Sequence, residues 1–197
     1  MFVQRPEKGG GASRRTCLKI IAAAAGGAAA GAGGASMVGR LGRAPEGPWR
    51  TFTPDEARLV EAISEQIVPA DHDPGAKEAR VVVYIDRQLD GPLKRHAEKF
   101  RAGLSFLQHT CRSEHGKFFE ELGWPEQTRV LENLEQDKAP KGIWVGPGAR
   151  EFFNFCRDFS MQGFYGSPRH GGNRNYASYR MMGLEYPRII GQNRYHG

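Results

Sequence analysis

The segment over residues 93–111 constrains the fold more than any other, because its apolar side chains recur every three or four positions throughout. That spacing places them on one face of an α-helix. The stripe consists of Leu93, Ala97, Phe100, Leu104, Leu107 and Cys111. A helix with a single apolar face must bury that face against other elements. The segment therefore predicts a helix that packs inside a helical domain.

Four other segments have helical signals. We predict helices that begin after Thr53, cover residues 76–89, begin at Pro125, and cover residues 149–162. Thr53 and Glu56 have the spacing of a capping box, and Pro54 suits the first helical position. Pro69 then ends the first helix.

The valine-rich run at residues 81–85 is compatible with either a buried strand or a helix. The spacing of Val82, Ile85 and Leu89 favours the helix. The chain is therefore predicted to be all-α, a compact bundle of about five helices with a C-terminal loop segment rich in glycine and aromatic residues. We read residues 52–197 as this single domain.

The N-terminal segment has the pattern of a twin-arginine signal. Ser13-Arg14-Arg15-Thr16-Cys17-Leu18-Lys19 precedes a run of alanine and glycine that reaches residue 36. This frame predicts export through the twin-arginine translocase, with Arg14 and Arg15 as the signal residues. That route carries folded proteins. Either cleavage near residue 36 or retention as an N-terminal anchor is compatible with the sequence, and residues 37–51 have the composition of a linker.

The net charge of +6 is concentrated in that signal. Residues 1–36 contain five basic side chains and one acidic side chain, which leaves +2 for the rest of the chain. A nearly neutral domain with both signs mixed argues against a nucleic-acid partner. The mean hydropathy of −0.57 argues against a protein with several membrane spans.

Two cysteines lie beyond the signal, Cys111 and Cys156. In an oxidising compartment they could form one disulfide. The alternative is a pair of buried free thiols on two helices. The sequence leaves both interpretations open.

No motif for a cofactor, a nucleophile or a metal cluster stands in a suitable context. The chain contains no Cys-x-x-Cys-His, no Gly-x-Ser-x-Gly and no Gly-x-Gly-x-x-Gly after a strand. The triplet Asp71-His72-Asp73 has metal-ligand residue types, but we interpret it as a solvated turn. We therefore expect no catalytic, cofactor or metal site in this chain. A chain exported in the folded state without such a site suggests that a partner carries the cofactor.

Residues 163–173 differ from the helical body. The sequence Gly-Phe-Tyr-Gly-Ser-Pro-Arg-His-Gly-Gly-Asn has four glycines, which predicts backbone at positive φ or close approach to another surface. We expect a non-helical loop from Gly163. It either contacts a partner or packs over its own helices.

These motifs together resemble the gluconate 2-dehydrogenase subunit 3 family over about residues 50–187. The first half of the resemblance rests on Phe52-Thr53-Pro54-Asp55-Glu56, Ile67-Val68-Pro69-Ala70-Asp71, Pro74-Gly75-Ala76 and Tyr84-Ile85-Asp86-Arg87-Gln88-Leu89. The second half rests on Phe152-Phe153, Gly163-Phe164-Tyr165-Gly166-Ser167-Pro168, Gly171-Gly172-Asn173 and Met182-Gly183-Leu184. The Gly-Gly-Asn loop with its Gly-Phe lead-in is the most specific part.

The resemblance implies a small, non-catalytic subunit of a membrane-associated periplasmic dehydrogenase for sugars, sugar acids or polyols. The partner would be an FAD-containing large subunit of the glucose–methanol–choline type, often joined by a multihaem cytochrome c. The small subunit would aid export, folding and stability of the flavin subunit. For docking we select Phe164, Tyr165, Gly171, Gly172 and Asn173.

Two other hypotheses are kept. One is a free-standing exported enzyme that binds a metal through Asp71, His72 and His170. The other is a structural protein held by an uncleaved signal helix.

Overall fold

A computed structural model describes residue 47, residues 49–146 and residues 148–184 of the chain. The described residues form helices, turns and loops, without a strand, so the all-α prediction is confirmed. The helices are α1 Pro54–Ile67, α2 Val81–Asp90, α3 Ala97–His115, α4 Trp124–Glu135, α5 Ala149–Tyr165 and the short α6 Ala177–Met181. Four 3-10 turns join them, at Lys94–His96, Phe119–Glu121, Pro168–His170 and Arg174–Tyr176. The predicted signal at residues 13–36, with Arg14 and Arg15, lies outside the described residues.

Helix α1 begins where its capping signals place it. The Glu56 amide donates to Thr53 Oγ1 at 3.2 Å, and the Thr53 amide donates to Glu56 Oε2 at 2.7 Å. These two bonds satisfy amides that the first turn of a helix leaves without partners. The capping box predicted from the sequence is therefore formed.

Helix α2 begins later than predicted. Residues 76–80 are turns, and Arg80 has a left-handed φ of 54° that interrupts the helix. Tertiary bonds hold this turn, because the Lys77 amide donates to Glu65 Oε2 at 2.8 Å and the Ala79 carbonyl accepts from the Arg174 amide at 3.0 Å. Long-range hydrogen bonds thus override the local helical pattern before Val81.

Helix α3 is also displaced from its predicted bounds. The residues after Leu93 form a 3-10 turn, and the α-helix continues past Cys111 to His115. Gly116, with a φ of 70°, ends the helix in the left-handed conformation that glycine adopts without strain.

Helix α5 is the centre of the bundle, because it packs against each of the other five helices. The spacing of Phe152, Phe155, Cys156 and Phe159 predicts a single apolar face for this helix, and Phe152, Cys156 and Phe159 are buried. Phe153, which the sequence places off that face, is also buried, whereas Phe155 is half-buried. A helix surrounded by neighbours buries more than one stripe, so the single-stripe prediction for α5 was too narrow.

Helix α5 extends to Tyr165 rather than ending near residue 162. Gly163 and Phe164 are therefore helical, which corrects the prediction of a loop from Gly163. The glycine is needed because α2 crosses there. A Cβ atom on Gly163 would lie 3.0 Å from Tyr84 Cδ1 and from Val81 Cγ1. Gly163 therefore acts as a packing residue between two helices.

None of the helices in the described part of the chain is long and apolar enough to cross a membrane.

Candidate docking site

The segment after α5 folds back onto the helix that precedes it. Gly171 has a φ of 109°, and a Cβ atom on Gly172 would collide with the carbonyl oxygen of Gly163. Both effects predicted from the glycine content are present, a positive φ and a close approach. The surface approached by Gly172 is the chain's own helix α5.

Asn173 joins the end of α5 to the start of α6. Its side chain is fully buried, and its φ of 46° is left-handed. Asn173 Nδ2 donates to the Gly166 carbonyl at 2.8 Å, and Oδ1 accepts from the Ser178 amide at 2.9 Å. One amide side chain therefore satisfies a carbonyl just after α5 and an amide in the first turn of α6.

The five residues selected for docking differ in exposure. Phe164, Gly172 and Asn173 are buried and Gly171 is half-buried, whereas Tyr165 is 40% exposed. The Tyr165 ring lies edge-on to the Phe164 ring, with 4.9 Å between the ring centroids. Gly172 and Asn173 shape the backbone of the turn, Phe164 is buried at the end of α5, and Tyr165 is the member whose side chain could contact a partner. Their docking role stays a prediction.

The turn forms one wall of an open cleft of about 720 Å³. Helix α2 forms a second wall, and the chain entering α1 forms a third. The lining residues are Gly47, Trp49, Arg50, Arg80, Val83, Asp86, Arg87, Pro168, Gly171, Gly172, Arg174 and Asn175. Four of them are arginines, and Asp86 is the acidic residue among them.

Asp86 fixes the chain that enters α1. Its Oδ1 accepts from the amides of Thr51 at 2.9 Å and Phe52 at 3.0 Å, and its Oδ2 accepts from the Arg50 amide at 2.9 Å. The Asp86 carbonyl also accepts from Thr51 Oγ1 at 3.2 Å. The carboxylate is 2% exposed and is held by three amides, so a buried charge is satisfied by hydrogen bonds.

Asp86 was not predicted as a site residue, although its position in the sequence carries a signal. Asp86 lies four positions after Val82 and three before Leu89, which places it on the apolar face of α2. A carboxylate on a buried face requires specific partners. The position therefore predicts a polar contact, but its partners at residues 50–52 are too distant in sequence to be identified.

The triplet Asp71, His72 and Asp73 is brought together more closely than we expected. His72 Nδ1 lies 3.3 Å from Asp71 Oδ1, and His72 Nε2 lies 3.3 Å from Asp73 Oδ2. The potential ligand atoms of the three residues lie within 4.8 Å of one another. His72 is exposed at the surface, as a solvated turn requires. His170 is not a member of this group, so the proposed set of Asp71, His72 and His170 is not assembled.

Both cysteines beyond the signal are free and buried thiols in the structure. Burial raises the pKa of Cys111 to about 12, and the carboxylates of Glu114 and Glu120 act in the same direction. Burial also raises the pKa of Cys156 well above its usual range. A thiol held in the protonated form is a poor nucleophile and a poor metal ligand, so both residues act as core side chains here.

A comparison with models of protein families identifies the family of this chain. The family model described as gluconate 2-dehydrogenase subunit 3 matches residues 54–185. The chain belongs to the gluconate 2-dehydrogenase subunit 3 family. As a member of this family, the chain is an accessory subunit of the gluconate 2-dehydrogenase type. Subunits of this family belong to membrane-associated dehydrogenase complexes. Membership therefore implies a dehydrogenase as the partner of this chain. No curated protein and no solved structure matched the chain.

The subunit 3 match covers the six helices of the described residues and the turn that carries Asn173. Two walls of the cleft, α2 and this turn, therefore lie within the family region. The third wall, which Gly47, Trp49 and Arg50 form, precedes it.

Proposed function

We propose that this chain is the non-catalytic small subunit of a periplasmic FAD-dependent dehydrogenase that oxidises sugars, sugar acids or polyols. The flavin would reside in a large subunit of the glucose–methanol–choline type, and a multihaem cytochrome c would accept the electrons. This chain would aid export, folding and stability of the flavin subunit, and the complex would be associated with the membrane.

The observation that carries this proposal is the family match over residues 54–185, which takes in the whole described helical body. Because the match is not restricted to one motif, the fold itself is of the accessory-subunit type. A packed bundle with exposed loops suits a subunit that acts by binding, since loops on a rigid scaffold commonly form contact surfaces.

The connection between the predicted linker and the body supports export as one unit. The linker ends on the three amides that Asp86 holds, and Gly47 and Trp49 line the cleft. The segment that follows the signal therefore joins the body beside the cleft and the turn. A partner docked there would be tied to the same signal and would be carried with it through a translocase for folded proteins.

Complementation tests this proposal. Cells that lack the chain receive either the wild type or the Arg14→Lys/Arg15→Lys variant, and dye-linked dehydrogenase activity on sugars and sugar acids is measured in periplasmic and membrane fractions. We expect activity there with the wild type and its loss with the variant. A matched control is Arg40→Lys/Arg43→Lys, which makes the same substitutions in the linker. Normal export of an active flavoprotein in the absence of the chain would contradict the proposal.

A further inference from the structure

We propose that the arginine-lined cleft binds an acidic polypeptide segment of the dehydrogenase partner. The proposal rests on the proposed function, because it assumes that the chain works as a subunit. It adds where the partner docks and what chemistry recognises it.

The charge of the cleft favours an acidic ligand. Arg50, Arg80, Arg87 and Arg174 line it, and Asp86 is the acidic residue in the lining. Both Asp86 oxygens already accept hydrogen bonds from backbone amides, at 2.9 to 3.0 Å. The carboxylate is therefore bound by the residues that enter α1, and four guanidinium groups against one carboxylate give the lining a net positive charge.

Two of these arginines are available to a ligand. The side chains of Arg87 and Arg174 are exposed, and neither forms an ion pair with another described residue. The stem of Arg87 packs next to the turn, since a Cβ atom on Gly171 would lie 3.0 Å from Arg87 Cδ. A planar guanidinium with a supported stem is suited to bidentate binding of a carboxylate.

The shape of the cleft suits a polypeptide segment. A volume of about 720 Å³ is far larger than one small anion needs, and the cleft is open to solvent. Trp49, Val83 and Pro168 contribute apolar surface to the lining. Such a surface can pack the aliphatic stems of Asp and Glu side chains while the guanidinium groups bind their carboxylates.

The positive charge of the cleft also distinguishes between the polypeptide segments that could occupy it. The chain's own residues 37–46 include Arg40 and Arg43 against one acidic residue, Glu46, so this segment has the same sign as the cleft. An acidic segment of another polypeptide has the opposite sign. Arginine is enriched in protein interfaces, which agrees with a partner polypeptide as the occupant.

Fluorescence anisotropy with the purified full chain tests the chemistry. The probe is a fluorescein-labelled hexaglutamate peptide, and a hexaglutamine peptide is the neutral control. We expect the acidic peptide to bind with an affinity that falls as salt rises. The Arg87→Gln/Arg174→Gln variant should bind it at least tenfold more weakly, whereas Lys117→Gln/Arg129→Gln, which removes two exposed positive charges elsewhere, should bind it as the wild type does.

Several outcomes would overturn the inference. Equal affinities of the two double variants would show that the peptide responds only to net charge. Tight binding of inorganic phosphate without the peptide would indicate a small-anion site. Loss of binding to phosphatidylglycerol vesicles in the Arg87→Gln/Arg174→Gln variant, with peptide binding unchanged, would indicate a lipid site. Self-association of the wild type that this variant abolishes would indicate a second copy of the chain.

A co-purification assay separates this inference from the proposed function. If the wild type and the Arg87→Gln/Arg174→Gln variant both retain a flavoprotein from native membranes, the cleft proposal fails and the subunit assignment stands. If the wild type retains none, the subunit assignment fails. We expect the wild type and the Lys117→Gln/Arg129→Gln control to retain the flavoprotein and the cleft variant to lose it.

Discussion

Asn173 shows how one side chain can hold a turn in place. Its amide satisfies both the Gly166 carbonyl and the Ser178 amide, and its backbone adopts a left-handed conformation that asparagine tolerates better than most residues. The residue is buried, so these bonds are not readily replaced by water. Any contribution of Asn173 to docking therefore acts through the shape of the turn.

We expect Asn173→Ala to lower the free energy of unfolding by about 2–5 kcal/mol, because two buried polar groups lose their partner and alanine is strained at positive φ. Urea unfolding followed by circular dichroism measures this loss. Asn175→Ala is the matched control, since Asn175 is exposed and also has a positive φ, of 54°. Asn173→Ala should also weaken assembly, and unchanged co-purification of the flavin subunit would contradict that part.

The two buried thiols predict a dependence of stability on alkaline pH. Burial raises the folded-state pKa of Cys111 to about 12 from an ordinary value of 9.0, and it raises the pKa of Cys156 in the same direction. The thiols of the unfolded chain ionise at lower pH than those of the folded chain. Burial of the protonated thiols therefore contributes fully to the free energy of unfolding below about pH 9, and this contribution is lost as the pH rises toward 12. We expect the unfolding free energy of the wild type to fall more steeply over that window than that of Cys111→Ala/Cys156→Ala. Equal slopes, or the absence of free thiols on counting in denaturant without reductant, would contradict this account.

At the scale of elements, the contact between the turn and α5 depends on glycine. We expect Gly172→Ala to destabilise the fold by about 3 kcal/mol or more, because its Cβ atom would collide with backbone rather than with a movable side chain. Gly142→Ala is the control, since a Cβ atom there meets nothing within 4 Å. Thermal unfolding compares the two variants. A Gly172→Ala protein as stable as Gly142→Ala would show that the turn is not packed as described.

The attachment of the entering chain to α2 depends on Asp86. We expect Asp86→Asn to lower the unfolding free energy by about 1–3 kcal/mol, because an amide group cannot accept all three backbone hydrogen bonds. Asp90→Asn in the same helix is the control, since Asp90 is exposed and lies 3.5 Å from Arg50 Nη1. Limited proteolysis should cut near residue 50 faster in the Asp86→Asn variant than in the wild type or in the Asp90→Asn control. Equal cutting rates would contradict the role of Asp86 in holding this segment.

The elements themselves were largely predictable. The capping box at Thr53 and the apolar stripe of α3 are local signals, and both are present in the structure. The start of α2 and the end of α5 were predicted wrongly because long-range contacts decide them. The turn at residues 76–80 is held by bonds to Glu65 and Arg174, and the glycine at position 163 is helical because α2 packs against it.

At the scale of the whole molecule, the family and the fold class could be predicted, but the cleft could not. Its walls come from Gly47, Trp49 and Arg50, from α2 and from the turn after α5, which are far apart in sequence. Arg87 and Arg174 have no pattern that relates them in the sequence, and only the packing of the turn on α2 and α5 brings them to one surface. Asp86 was detectable as a carboxylate on an apolar helix face, although its partners were not.

The most direct test of the account is the isolation of the C-terminally tagged full chain from its native membranes, with an absorbance spectrum and mass spectrometry of the material that accompanies it. The account predicts a yellow preparation that contains an FAD-bearing protein of the glucose–methanol–choline type, in constant ratio to the tagged chain. A colourless preparation of the chain without a flavoprotein would contradict the assignment of the chain as a dehydrogenase subunit.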